Sequence, residues 1–550
     1  MSSFDHSINL VWLSSTTPPP KWVLGYIYTC QNNLLGISEV LETSLASSQA
    51  GAWLFWDPTL GMPIIADLPY LLSEPADLWH AGLKLGLGGQ PPLMDYILPT
   101  WMLNRDPDPN IKATSWRISL RACLVRGDIL SKLGGPDTNF ETLDGSSMEL
   151  GYRYISNGVF PRHVPSLIGS KIQPPHVVIP LQDQLRFLQA GFDQRWLMWA
   201  CLRSLLRGET RLAQLLRAMK TVQKLVSPRK YPPYKRPHPS TKLTAPQARV
   251  SVLIPTLRRY PYLRVLLDQL RKQTHPPFEI LVIDQTPAEM RDHDLVIDFS
   301  DLPLRYFTLD QAGQCSARNF GLKQARGEFI LLIDDDDEVS PDLIVQHLAT
   351  LHALKINVSN GVAHEVGAGP LPGNFKWMRV SSVFPANNTM IRKSILEKPG
   401  LFDLAYDHGQ RADHDLGMRL FLSGELMVLN PDIAVLHHHA PMGGLREHKA
   451  RVKTYAASRQ QLFNFNLPTI YDLYLAKRYF SPEQTSERIW ISLLGTLSIR
   501  GSWWKRIIKV LIGFLCLPLN LWRIHQRSKI ADAMLVSYPQ IPPFPENQAT

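Results

Sequence analysis

The sequence is short of cysteine, of charge and of long apolar runs, and each shortage narrows what the chain can be. Its 550 residues hold five cysteines, Cys30, Cys123, Cys201, Cys315 and Cys516, scattered and without a Cys-x-x-Cys pair. That argues against a disulfide framework and a zinc site, and fits a reducing compartment. The start, Met1-Ser-Ser-Phe-Asp-His, lacks a basic stretch with an apolar run behind it, so no signal peptide is expected. Charged residues are 19% against 45% hydrophobic, the balance of a globular chain able to fill real cores. Acidic residues fall short of basic ones, 48 against 58, for a formal net charge of +10. A basic balance fits nucleic acid, anionic lipid or phosphorylated substrates and does not choose between them. The length is too great for one core and implies two to four domains.

What the sequence does have is a run of four aspartates, Asp334–Asp337, closing the apolar stretch Phe329-Ile330-Leu331-Leu332-Ile333 and followed by Glu338 and Pro341. An apolar run of that length reads as a strand buried on both faces of a parallel sheet. Carboxylates at its C-terminal end stand where open α/β sheets bind ligands. Four adjacent acids need a counter-charge, and a divalent cation shared with substrate phosphates supplies it simply. Alone, the run reads equally well as a solvated acidic turn.

The surroundings organise the chain. Residues 1 to about 175 alternate short apolar runs with turns: Trp22–Thr29 and Ala52–Trp56 read as strands, Ile37–Leu45 as a helix between them, a βαβ rhythm. Residues 181 to 225 carry apolar residues at helical spacing. Ser227–Ala245, with five prolines among arginines and lysines, reads as an extended basic tether. From Arg249 the pattern is strand, helix, strand, loop-helix, strand: Val250–Thr256, Tyr262–Gln273, Phe278–Asp284, Gly313–Lys323 and the Phe329 run. Near the end, Ile507–Trp522 is apolar, broken by Lys509 and Pro518, and shorter than the ~20 residues that span a bilayer. With Trp503, Trp504, Lys505 and Arg506 before it and Arg523, Arg527 and Lys529 after, it reads as an in-plane membrane anchor or as a core helix of a small bundle.

Four features follow in one order. They are Ile254-Pro255-Thr256 at a strand end; Asp284 at the next; Gly313–Leu322 with Ala325-Arg-Gly-Glu leading into the acidic run; and Phe402-Asp403 through Asp413-His-Asp415, followed by His437-His438-His439-Ala-Pro-Met-Gly-Gly. Over residues 249 to 445 the chain resembles the family 2 glycosyltransferases with their GT-A nucleotide-sugar fold. The resemblance implies that Pro255, Thr256, Asp284, Arg318, Asp334 and Asp335 bind the nucleotide-sugar, and that Asp336, at the metal position of the Asp-x-Asp motif, and His437 hold Mn2+ or Mg2+. His439 is the alternative to His437, since alternate residues point the same way. Asp413 matches the position of the catalytic base in inverting members; a plain helix N-cap is its other reading. Ala412 stands where the family has glutamate, which leaves the acceptor contacts open. Trp377 and Asn388, with Asn387 beside it, lie where the family contacts its acceptor.

A second pattern lies at the front. Glu149–Gly158 lines up with Asp415–Gly424 at an offset of 266 residues, which also pairs Pro165 with Pro431. At that offset Asp413 falls on Ser147 and His437 on Lys171, and the acidic run shrinks to Asp57. The expected fold class is α/β: two GT-A-like domains in tandem plus a helical, basic C-terminal region. The expected domains are 1–180, degenerate; 181–248, helical segment and linker; 249–450, catalytic; and 451–550, C-terminal helices. The expected activity is metal-dependent, inverting transfer from a nucleotide-sugar to a saccharide or lipid-linked acceptor in cell-surface glycan synthesis. No nucleic-acid partner is expected, and the place is the cytoplasm or the inner face of its membrane. A non-catalytic glycan-binding scaffold is the alternative; a sugar nucleotidyltransferase is disfavoured, because Leu257-Arg258-Arg259 stands where it needs a glycine-rich loop.

Overall fold

Short apolar runs that alternate with helices bury best as sheet cores, and here they sort into two sheets. The computed structural model describes residues 7–46, 50–89, 93, 98–169, 176–239, 248–367, 369–444, 447, 462–463, 465–499 and 502–545. The first sheet comprises β1 (Ile8–Trp12), β2 (Ile27–Thr29), β3 (Ala52–Trp56), β4 (Leu78–His80), β5 (Ala113–Thr114), β6 (Ala122–Arg126) and β7 (Pro161–His163), in the order β2-β1-β3-β6-β4-β7-β5. The second comprises β8 (Val250–Thr256), β9 (Glu279–Asp284), β10 (Leu304–Thr308), β11 (Phe329–Ile333), β12 (Asp337–Val339), β13 (Val358–Glu365), β14 (Arg379–Val380), β15 (Asn388–Arg392) and β16 (Met427–His437). Its order is β10-β9-β8-β11-β15-β13-β16-β12, with β14 also on β16. Leaving out β10 and β12, the two orders coincide strand for strand. The senses coincide as well: β6 runs antiparallel to β3 and β4 as β15 does to β11 and β13, and β7 lies parallel to β4 as β16 does to β13. The strands β5, β6 and β7 begin 266 residues before β14, β15 and β16.

The front half differs from expectation in two places. Ile8–Trp12, which the sequence reading passes over, is the fully buried strand between β2 and β3. Its Asn9 breaks the apolar pattern, yet is buried because its Oδ1 accepts from the Tyr26 amide at 3.0 Å. Of the strand expected at Trp22–Thr29, only Ile27–Thr29 pairs.

The helices used below are α1 (Leu34–Ser44), α2 (Leu143–Ser156), α3 (Leu181–Gly191), α4 (Gln194–Leu206), α5 (Leu212–Gln223), α6 (Tyr260–Leu270), α7 (Gln314–Gln324), α8 (Ala412–Leu422), α9 (Ile470–Tyr479), α10 (Pro482–Thr496), α11 (Trp503–Leu515) and α12 (Leu517–Ser537). The described part of the proline-rich segment is extended, as expected, but it is no free tether. Tyr234 donates from its amide to Asn157 O at 2.8 Å, and the Arg236 guanidinium sits 3.6 Å from the centre of the Phe160 ring, a cation–π contact. The segment is strapped to the front half.

The halves touch through matched positions. Gly158 and Gly424, 266 residues apart, both have left-handed backbones, at φ 92° and 101°. A Cβ on Gly158 would come 2.9 Å from the Met378 carbonyl oxygen, and one on Gly424 would come 2.5 Å from that of Lys112. Lys112 and Met378 are again 266 apart, so each half offers the other the same glycine and the same carbonyl. Arg162 adds a bond to Gly424 O at 2.9 Å, and Trp101 donates to Ser382 O at 2.9 Å. Farther along, Arg203 of α4 meets Glu487 of α10 at 2.8 Å, both buried.

Candidate active site

β8, β9 and β11 run parallel, so their C-terminal ends reach one edge of the sheet. Behind that edge the residues of β11 are 0–1% exposed, which anchors the acidic turn that follows. At the edge opens a cavity of about 920 Å³. Pro255 and Thr256, Arg318 of α7, Asp334, Asp335 and Asp336, His437 at the end of β16, and Asp413 in the first turn of α8 all line it. Eight of the eleven residues expected at the site therefore line one cavity.

Three do not. Asp284 is fully buried at the end of β9, where it accepts from the Tyr260 hydroxyl at 2.6 Å, from the Tyr306 hydroxyl, and from the Thr286 amide at 2.8 Å. Its neighbour Gln285 lines the cavity instead. Asn388 is buried inside the sheet, bonded to His347, Val362 O and Ile433 O. Asn387, in the turn just before β15, lines the cavity. Trp377 packs beside Gly158 of the front half. Of the residues expected to meet the acceptor, Asn388 and Trp377 thus do not line the cavity, and Asn387 does.

The acidic turn finds its counter-charges within the chain. Arg318 Nη2 reaches Asp334 Oδ1 at 2.6 Å. Arg259 Nη1 lies 3.0 Å from Asp335 Oδ1 and 3.1 Å from Asp336 Oδ1, and its Nε donates to Met442 O at 2.9 Å. His437 Nδ1 is 2.8 Å from Asp337 Oδ1 and 3.7 Å from Asp336 Oδ1. Burial pushes Asp335 up to about 7 even though Arg259 opposes it. Burial works against the His437 imidazolium, but the bond to Asp337 and the other aspartates outweigh it and hold His437 at about 9. Asp337 is turned into the sheet by pairing with His437 and is not part of the wall. His438 pairs with Glu338, and His439 lies 3.3 Å from Glu365.

Asp336 fits a hard cation. Its Oδ2 accepts from the Ala440 amide at 2.8 Å, while its buried Oδ1 makes no well-aligned hydrogen bond and is held by the charge of Arg259 at 3.1 Å. Among the described residues no three carboxylate, imidazole or thiol groups converge into a preformed cation cage. An ion that takes most of its oxygens from a diphosphate and water needs only one or two from protein. A carboxylate oxygen without a hydrogen bond, beside an imidazole at 3.7 Å, meets that need once Arg259 gives way.

Asp413 is not a helix cap. The N-cap of α8 is Arg411, in a left-handed backbone at φ 80°. Asp413 Oδ1 accepts from its neighbour His414, from the amide at 2.8 Å, and pairs with the ring Nδ1 at 2.9 Å. Burial alone would raise this carboxyl; the His414 imidazole and Arg411 outweigh it and pull it down to about 2. The Trp101 ring of the front half packs on His414, centroids 5.2 Å apart. From the other side, Arg411 Nε meets Asp472 of α9 at 2.8 Å, and the Tyr471 ring covers Gly409, where a Cβ would come 2.0 Å from it. Asp415 pairs with Arg419 at 2.7 Å, as its helical spacing predicts, and accepts from Tyr479 of α9 at 2.7 Å. Sequence reasoning named Asn387 only beside Asn388 and missed Arg259, Trp101 and Tyr471; of these three, only Arg259 carried a signal, a cation three residues beyond Thr256.

The front half has the same edge but not its chemistry. Asp57, which follows β3 as Asp334 follows β11, is buried and saturated by Asn32, Thr59 and Arg121. Ser147 donates to Leu143 O at 2.7 Å inside α2. Lys171 lies outside the described residues.

Residues 251–398 match the family described as Glycosyl transferase family 2. The chain is 27% identical over 168 residues to an uncharacterized glycosyltransferase, YwdF, of Bacillus subtilis (strain 168), covering 28% of this chain and 62% of that one. It is 30% identical over 122 residues to the poly(ribitol-phosphate) beta-N-acetylglucosaminyltransferase TarS of Staphylococcus aureus (strain Mu50), covering 20% and 21%. Among solved structures, S. aureus TarS 1-349 in complex with UDP-GlcNAc superposes with a TM-score of 0.32 at 21% identity, over 42% of this chain and 71% of that one. The chain spans less than two thirds of the length of these curated relatives.

Proposed function

We propose that this chain, a family 2 glycosyltransferase by its domain at residues 251–398, moves a sugar from a nucleoside diphosphate-sugar to a hydroxyl of a saccharide or lipid-linked acceptor, with inversion, at the cytoplasmic face of a membrane where cell-surface glycan is made. The observation that carries the reading is the single cavity that Thr256, Arg318, Asp334 to Asp336, His437 and Asp413 all line. The relative named an N-acetylglucosaminyltransferase supports the sugar-transfer class.

In this reading the base and ribose lie over the ends of β8 and β9, against Pro255, Thr256 and Gln285. The diphosphate faces Arg318 and Arg259. Asp336 and His437 hold Mn2+ or Mg2+, which when bound supplies a Lewis acid for the charge that grows on the departing diphosphate. The acceptor enters beside Asn387 and Asp413. Its hydroxyl oxygen attacks the anomeric carbon as the bond to the β-phosphate oxygen breaks; the proton passes to Asp413, and the nucleoside diphosphate leaves with the bonding pair. Asp413 is ionised at neutral pH, so it is ready to accept, though a carboxylate held near 2 is a weak base. The acceptor oxygen therefore gives up its proton late, once the bond to carbon is well formed.

The front half, in this proposal, is a diverged copy of the same fold that supports the other and does not transfer. The matching strand orders support it, and so does the self-neutralised Asp57.

The second reading, a glycan-binding scaffold, is favoured by one observation: Arg259, Arg318 and His437 already neutralise the acidic turn. Titration calorimetry with UDP, GDP and their sugars, with and without Mn2+, separates the two. The transferase reading expects Mn2+-dependent nucleotide affinity, and loss of both that dependence and transfer in Asp336→Ala. Full transfer by Asp336→Ala would overturn the metal assignment, while glycan binding without Mn2+-dependent nucleotide affinity would leave the scaffold.

A further inference from the structure

Beyond the cavity, an exposed apolar surface lies on α11 and the start of α12. On α11, Trp503, Trp504, Ile507, Leu511, Phe514 and Leu515 are 47–81% exposed. At 3.6 residues per turn these six fall within an arc of about 120°. Lys509 and Gly513, on the opposite side, are buried, and Lys509 Nζ donates inward to Leu462 O at 2.7 Å. Leu519, Leu521 and Trp522 carry the exposed apolar surface onto α12. Isolated apolar side chains on a surface are ordinary, but a contiguous aromatic and aliphatic face is not.

The charge around that face chooses its partner. Between Glu487 and Asp532 the sequence has no acidic residue. Lys505 and Arg506 flank the apolar arc, and they are exposed, as are Arg523 and Lys529. A protein partner or a second copy of this chain would have to meet those cations with acids that the face itself lacks. An anionic lipid surface meets both halves of the pattern: acyl chains for the arc, headgroups for the cations, and interfacial depth for the tryptophans. Geometry argues against a crossing. Thirteen residues of α11 reach about 20 Å, short of the ~30 Å hydrocarbon layer. Among the described residues no single helix is long and apolar enough to cross a membrane, and α11 meets α12 at a bend of 58°.

We propose that α11 and the first turns of α12 are a docking face for an anionic bilayer, lying in its plane. The face is coupled to the cavity. On α12, Arg527 donates to Pro468 O at 2.8 Å, just before α9, and Asp532 pairs with Lys477 of α9 at 2.6 Å. α9 in turn holds the loop that precedes Asp413, through Asp472–Arg411 and Tyr471 on Gly409. A lipid-linked acceptor would thus be offered to a cavity whose base-bearing loop is fixed to the docked helices. This last consequence rests on the proposed transferase function; the docking face itself does not.

The test is co-flotation of the full chain with vesicles, with no donor present, so that it stands apart from the transferase reading. Vesicles of phosphatidylglycerol and phosphatidylcholine are compared with phosphatidylcholine alone, at low salt and at 1 M NaCl. Partitioning onto the anionic vesicles is expected to be roughly tenfold or more higher and to fall with salt, as a few interfacial cations require. Ile507→Asp, Leu511→Asp and Phe514→Asp together, all exposed positions, should abolish it with an unchanged Tm. Brominated lipid should quench tryptophan fluorescence in the parent chain. Three outcomes would overturn the proposal: no flotation on anionic vesicles, flotation unaffected by the triple variant, or binding that survives alkaline carbonate, which marks insertion across the bilayer.

Discussion

Asp336 and Asp413 line one cavity, and their surroundings predict different failures. In the proposed mechanism Asp413→Asn removes only the proton acceptor. Its kcat should drop roughly 100- to 10,000-fold, the ordinary range for a general base, with donor affinity unchanged in calorimetry. The cation side is sensitive to pH. A divalent ion takes the unprotonated forms of its ligands and their neighbours. With the ion held as proposed, Asp335, pushed up to about 7, and His437, held at about 9, release protons when it binds. Mn2+ affinity should therefore rise between pH 6 and 8, and calorimetry in buffers of different ionisation enthalpy should register proton release. The apo protein behaves oppositely at His437: its raised value stabilises the fold fully below pH 6.5, and that stabilisation fades as pH rises through about 9. At this scale the sequence went far, because residue type and order along strand ends carry the chemistry. It failed where a choice between neighbours depends on which way a side chain points. Asn387 against Asn388 is a question of strand register, and Asp284 is claimed by two tyrosines from other elements.

Among the elements, α9 carries the largest consequence, though it lies outside the matched residues 251–398. Burial alone would raise Asp472; Arg411, Arg488 and the cap from Thr469 outweigh it and hold it at about 2. A depressed carboxylate stabilises above its unfolded value of 3.8 and loses that contribution as pH falls through about 2. Asp472→Asn should cost ~1–3 kcal/mol in urea unfolding, since it leaves two guanidinium groups under-paired. It should also lower kcat without moving the donor Kd, because Arg411 is the N-cap residue of the helix that carries Asp413. Trp101→Ala tests the same helix from the front half: with the ring gone from His414, kcat should fall while Mn2+-dependent nucleotide binding stays. The helices themselves were legible from periodicity. Their docking was not, because the bonds that hold them join residues about 60 to 310 positions apart.

At the scale of the molecule, two sheets of one strand order meet through a glycine and a carbonyl from each side. Gly424→Ala forces a side chain into a left-handed backbone and against Lys112 O. It should cost about 1–3 kcal/mol and lower Tm, with protease sensitivity appearing where the halves meet. The sequence alone determined the buried runs, the acidic turn at the end of one of them, the order of the site residues and the offset of 266 that recurs between strands, because each of these is written in local pattern or in self-similarity. Only the tertiary structure decided that Ile8–Trp12 is a central strand, that the proline-rich segment is strapped down, that Arg259 stands among the aspartates, and that α9 and Trp101 grip the helix bearing Asp413. Those outcomes depend on pairings between distant residues, whose strength comes from burial and geometry that no local window of sequence contains.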